Sequence, residues 1–396
     1  VADRRRASVP WVMALCLLLV ALTGCGGRPA TDAARAEVQR LLDRRAAAVL
    51  DHDPAAHRAT GATAGFDRLR AVPLAAWSYR LKSLERSGDT ATADVDLRYR
   101  VAGYDAAPVT AGRTLTLDRG TDGRWTVVSD RPAPKAAQQL WDQGTVTAVR
   151  GADSLVLGVG QSREELRAFA GLADRAVPAV SGTWRTAWSG RLVVLVPKSL
   201  DGMAALLGSP ASSYRGIAAV TTGETGAGSA PADRIIVNPD AYGVLGPVGR
   251  QVVLTHEATH VATRAHTNAA TPLWLSEGYA DWVGYRDTGR SPAQAAPELA
   301  RAVSEGRVPA ALPADEDFGF TGDAAALAQA YEGGWLACRL IADRWGEARL
   351  GAFYRAVGEH GKRDGAVEAA TAEVLGTTPE DFTALWREYL RDQLGG

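Results

Sequence analysis

Residues 256 to 260 read His256-Glu257-Ala258-Thr259-His260, and a second stretch, Trp274-Leu275-Ser276-Glu277-Gly278, follows closely. On a helix, positions i and i+4 share one face, so His256 and His260 can turn both imidazoles toward one metal ion. A glutamate from a second helix, Glu277, can close the set. Two histidines, one glutamate and a water form a known catalytic zinc arrangement, and Glu257 is then placed to activate that water.

The flanking residues support this reading. The segment 247–266 opens after Gly246 with Pro247, a good first-turn residue, and Val252, Val253 and Val261 give it an apolar side. Burying two histidines and a glutamate with nothing to satisfy them would cost several kcal/mol. A second helix is predicted over 272–286, with Thr271 as N-cap and Pro272 at its first position. Glu277 and Asp281 share a face at i, i+4 spacing. A carboxylate that holds a ligating histidine by its other ring nitrogen is part of such sites, and Asp281 is expected to do this for His256. Leu273, Trp274, Leu275, Tyr279, Trp282 and Val283 predict that this helix is largely buried.

At the other end of the chain, Arg4-Arg5-Arg6 precedes an apolar run from Trp11 to Leu22. That run is shorter than the ~20 apolar residues a membrane span needs and fits a signal-peptide core, residues 1–24. Leu22-Thr23-Gly24-Cys25 resembles the bacterial lipobox. The resemblance implies a lipid on Cys25, a tether over 25–33, and a protein held on the extracytoplasmic face of the cell membrane. Of the three cysteines only Cys338 then remains free, so no internal disulfide is expected. The 44 basic and 45 acidic residues nearly cancel, leaving no electrostatic case for nucleic acid.

The chain is long enough for two domains, and its patterning divides accordingly. Helical periodicity over 34–51 (Val38, Leu41, Leu42, Val49, Leu50) gives way to period two. Strands are predicted at Trp77-Leu84, Thr90-Val101, Arg113-Leu117 and Trp125-Ser129. This layout resembles the cone-shaped ketosteroid-isomerase-like fold and is read as an accessory domain, 34–131. After Pro132-Ala133-Pro134 comes a second domain, 140–396. Short strands are predicted near 145–149, 154–159, 192–196 and 235–237, with helices near 163–170 and 200–207. Helical segments then dominate: 247–266, 272–286, 323–345, 347–359, 364–374 and 379–393. Strands before and helices after the histidine pair predict an α+β class.

The histidine pair followed by Trp-Leu-Ser-Glu-Gly-Tyr-Ala-Asp resembles the gluzincins, the clan of thermolysin and the aminopeptidase-type enzymes, and in particular the bacterial peptidase MA-like family. Ala328 to Gly334, Leu340 to Gly346 and Thr378 to Leu390 resemble further stretches of it, so that the likeness runs over roughly 140 to 395. It implies one catalytic zinc on His256, His260 and Glu277, Glu257 as general base, and a peptide or protein substrate. Tyr331 would then donate its phenol proton to the oxyanion. Gly333-Gly334 departs from the aminopeptidase-type motif, which carries Lys before the Gly. The extended substrate is expected along a strand edge near Ile217-Thr221 or Ile235-Val237.

His266, ten residues after His256, resembles the third ligand of the metzincin pattern. That pattern needs Gly where Thr263 stands and a methionine downstream, whereas Met13 and Met203 both lie upstream. His266 is therefore read as a loop or substrate-cleft histidine. The alternative for the whole chain is a lapsed zinc fold acting as a binding or envelope-assembly lipoprotein. The intact Glu257 speaks against it.

Overall fold

The structure, a computed structural model, describes residues 28–222, 231–319 and 323–395. The expected signal segment and the lipid site at Cys25 lie outside them. The chain is mixed α and β, with two sheets in its first two thirds and a helical C-terminal half. Among the described residues no helix is long and apolar enough to cross a membrane.

The first helix, Arg28–Leu50, begins earlier than the expected position near 34. Its first turns are rich in alanine, the best helix former, so nothing local stops it short. Four strands follow in an antiparallel meander: β1 (Leu74–Ser87), β2 (Thr90–Val101), β3 (Val109–Arg119) and β4 (Trp125–Pro132). In β2 every second residue from Ala91 to Val101 is buried, and this face shares a core with Val38, Leu41, Leu42 and Val49. β1 and β3 run longer than their apolar patterns because ladder pairing continues through polar residues, as at Arg86 opposite Ala91 and Arg98 opposite Thr110.

The second sheet has the order β5-β6-β7-β9-β8, formed by Thr147–Arg150, Ser154–Gly158, Leu192–Val196, Arg234–Val237 and Ala219–Thr222 respectively. Its central strands are parallel and its two outer pairings antiparallel. Of the two segments expected to offer a strand edge, only β8 lies at the edge; β9 is paired on both sides. β6 is buried throughout. Val156 joins the helical core, whereas Leu155 and Leu157 join the core of the N-terminal meander together with Trp141. Helices Arg163–Trp184 and Pro247–Thr263 contribute to the helical core on one side of this sheet, and the N-terminal module covers the other. Asp105 and Arg234 tie the two units with a two-pronged ion pair at 2.9 Å on each arm.

The helix expected near 163–170 runs on to Trp184, since Ala173, Ala176, Val177 and Val180 continue its buried stripe. Short helices at Pro292–Ala295 and Pro297–Ser304 were not expected from the sequence. The helix carrying Glu277 is Leu273–Tyr285, with Pro272 as its N-cap residue rather than its first turn. Its first amide, on Leu273, donates to Asp315 Oδ1 at 2.9 Å, which does the capping expected of Thr271.

This helix crosses the helix Ala324–Trp345 with backbone against backbone. A Cβ on Gly278 would stand 2.2 Å from the carbonyl oxygen of Gly334, and one on Gly334 would stand 2.7 Å from that of Trp274. Both clashes are with main chain, which cannot move aside as a side chain would. Gly278→Ala should therefore destabilise the protein by about 1–3 kcal/mol, read by urea unfolding. Gly182→Ala, in a helix with open space at that position, should be neutral or slightly stabilising. Equal effects at the two sites would mean that the crossing imposes no such limit.

Candidate metal centre

The helix Pro247–Thr263 enters through Pro247 after the N-cap Gly246 and buries Leu254, Ala258 and Ala262 against the core. That leaves His256 and His260 on an adjoining face with side chains 13% and 16% exposed. Their Nε2 atoms stand 3.0 Å apart. Glu277 Oε2 lies 3.2 Å from His256 Nε2 and 3.4 Å from His260 Nε2. Asp281, one turn further on, lies 2.8 Å from His256 Nδ1.

These contacts settle the ring chemistry. With its Nδ1 proton held by Asp281, neutral His256 turns a lone pair toward the same point as His260 and Glu277. Three electron-pair donors then converge, their ligand atoms all within 4.8 Å of one another. Without a cation, that is repulsive. A proton is the least that can relieve it. Burial pulls His256 down, but Asp281 and Glu277 outweigh burial and hold it well above its usual value. Burial pushes Glu277 up, and the two histidines more than reverse this, holding it far below the usual carboxylate range. Two nitrogens, one carboxylate and a hydrogen-bonded outer partner are the donor set and support that zinc takes.

Glu257 is buried at 6% exposure and shares a helix turn with both histidines. The Thr221 hydroxyl, on edge strand β8, donates to its Oε2 at 2.6 Å and lies 3.1 Å from its backbone carbonyl. The sequence did not reveal this partner. It singled out the Ile217-Thr221 segment as a strand edge, but a four-residue strand has too little pattern to say which side chain faces the helix. His256, Glu257, Asp281 and Tyr331 line one cavity of about 450 Å³. Ile217, Val252, Val253 and Leu327 give it apolar walls. Burial, reinforced by the carboxylates of Glu277, Asp281 and Glu257, drives the Tyr331 phenol well above its usual range, so it keeps its proton.

His266 is not among the residues lining this cavity. It sits in the turn Arg264–His266, its ring edge-on to Trp184 at 5.6 Å, and it is not part of the converging donor set.

No family model matches the sequence, and no curated protein matches it. Among solved structures, the chain is similar to a mutant M1 zinc metallopeptidase from Deinococcus radiodurans bound to a Tyr-Ser-Ala substrate. The identity is 12%, covering 77% of this chain and 90% of the other, with a TM-score of 0.34. The chemistry of the site rests on its own geometry.

Glu332, beside Tyr331, accepts from the amides of Glu298 at 3.3 Å and Leu299 at 2.6 Å, at the start of helix Pro297–Ser304. Burial pushes its carboxyl up to about 7, and the two amides offset this only in part. Its folded value thus lies above the ordinary 4.5. The native state then holds more protons than the unfolded chain between those values, and stability falls as pH rises through that window. Glu332→Gln should remove this component, giving a smaller drop in unfolding free energy between pH 5 and pH 8. An unchanged drop would mean that Glu332 titrates normally.

Asp281→Asn keeps the shape of the side chain but cannot take the same share of the Nδ1 proton. It should weaken zinc binding by about 10–100-fold, as loss of an outer partner does, measured by competition with a chromophoric chelator. Unchanged affinity would show that Asp281 plays no part in holding His256.

Proposed function

We propose that this chain is a zinc metallopeptidase of the gluzincin type, held through a lipid on Cys25 at the extracytoplasmic face of a bacterial membrane. The observation that carries the reading is the convergence of His256, His260 and Glu277 with Glu257 buried beside them. The anchor rests on the sequence of the first 25 residues alone. When bound, zinc supplies Lewis acidity and a water nucleophile near neutral pH.

The remaining steps belong to side chains. Glu257 takes the proton from the attacking water and passes it to the leaving amine. Thr221, donating to one carboxylate oxygen, fixes the rotamer so that the other faces the cleft. Tyr331, which keeps its proton, donates to the oxyanion as the carbonyl becomes tetrahedral. An extended peptide pairs with the outer strand β8, and its side chains enter the apolar cavity. Asp281 holds His256 in its tautomer. The N-terminal helix and meander, in keeping with a ketosteroid-isomerase-like layout, act as an accessory module.

The test is zinc content and quenched-peptide cleavage, measured side by side. Wild type should bind one zinc per chain and cleave in a chelator-sensitive manner. Glu257→Gln should keep the zinc and lose turnover by about 10²–10⁴-fold. Glu277→Ala should lose the zinc, and His266→Ala should keep it. Zinc lost with His266→Ala instead would overturn the ligand set. One zinc with no cleavage of any peptide would favour a binding lipoprotein built on a lapsed zinc fold.

A further inference from the structure

We propose that the N-terminal module holds a binding site for a small carboxylate with an apolar body. The site is a cavity of about 220 Å³ between the first helix and the meander, apart from the metal centre. Three residues on its wall are more than nine-tenths buried and each has a polar atom with no hydrogen-bond partner: Arg45 Nε, His57 Nδ1 and Trp77 Nε1. Unpartnered buried polar atoms are uncommon in folded proteins, and these three stand on residues that bound the cavity.

The charge decides its class. Arg45 is 3% exposed, and its two terminal nitrogens go to Thr60 Oγ1 at 3.0 Å and the Ala62 carbonyl at 2.8 Å, both neutral. Among the described residues no carboxylate lies within ion-pair distance of it. The wall does carry two, Asp130 and Asp142, but Arg113 takes both, at 2.7 and 2.8 Å. Tyr79 also donates to Asp130, at 3.1 Å. Arg45 is therefore a buried cation left without its anion, which a protein interior tolerates poorly.

A guanidinium can only donate and carries a full charge, so its missing partner is an acceptor with a negative charge, which a carboxylate supplies. His57 adds no second cation: burial, and then Arg45, hold it down to about 4. Val49, Leu69, Leu97 and Trp141 form the apolar part of the wall. The volume exceeds the ~150 Å³ that receives a benzene ring and falls short of the ~300 Å³ where drug-sized pockets begin. A single ring or short branched chain with one carboxylate fits. Val128, 47% exposed, and exposed Arg68 also line the cavity and mark its mouth, with a positive charge at the entrance. Trapped water would satisfy the donors but leave the charge.

The test titrates the whole chain with benzoate and, as the uncharged mimic of the same shape, benzamide. Tryptophan fluorescence and the melting temperature are followed. Benzoate should saturate and raise the melting temperature, with benzamide weaker by about tenfold or more, as expected for loss of a charge-assisted contact. Arg45→Ala should lose benzoate by a similar factor. Because Arg45 also ties down Thr60 and Ala62, Arg45→Lys is a second variant that keeps a cation on the wall, and it should retain benzoate better than Arg45→Ala. No saturation by benzoate in the wild type would overturn the proposal. So would equal binding of benzoate and benzamide.

Discussion

Main chain meets main chain where the helix of Glu277 crosses the helix of Tyr331, at Gly278 and Gly334. Side chains at such a crossing ordinarily hold helix axes 8–10 Å apart. Two glycines remove that spacer, and the neighbouring residues inherit the result. Glu277 precedes one glycine and reaches across to the histidines; Tyr331 lies one turn before the other and faces the same cleft. The Gly333-Gly334 pair thus has a steric reason here. Gly333 faces Pro313 and Trp386, and Gly334 faces the Trp274 backbone.

The second constraint is the sheet beneath the site. Its edge strand β8 supplies the hydroxyl on Glu257, and among the described residues its one ladder partner is β9. β9 in turn is fastened to the N-terminal module through Arg234 and Asp105, whose carboxylate also accepts from the amides of Val101 and Ala232. A line of direct contacts therefore runs from the meander to the buried glutamate beside the converging histidines. Each contact is short, and each end of the line is buried.

Local periodicity made much of this legible. The i, i+4 spacing of His256 and His260 and of Glu277 and Asp281 requires only that each pair sit on a helix, and both helices announce themselves by apolar pattern. The meander was readable for the same reason at period two. What the sequence could not convey depends on distant partners. Asp315 caps Leu273 from 42 positions away, and Asp105 meets Arg234 across 129. β6 is apolar on both faces, which states that it is buried without stating by what. The helix that runs on to Trp184 does so past Pro178, where a local rule argues for a break, and the turns beyond it bury Val180 and Trp184.

The doubly covered sheet has a consequence for how the molecule comes apart. Leu155 and Leu157 look into the N-terminal core, and burial of each is worth about 1.5–3 kcal/mol, against the ~5–15 kcal/mol that holds a typical domain together. Separating the two units at the proline-rich junction would wet those leucines and strand Asp105 and Arg234 apart. Both halves then lose part of their margin. The two units, distinct in layout, share buried surface at the junction, which makes it a seam rather than a hinge.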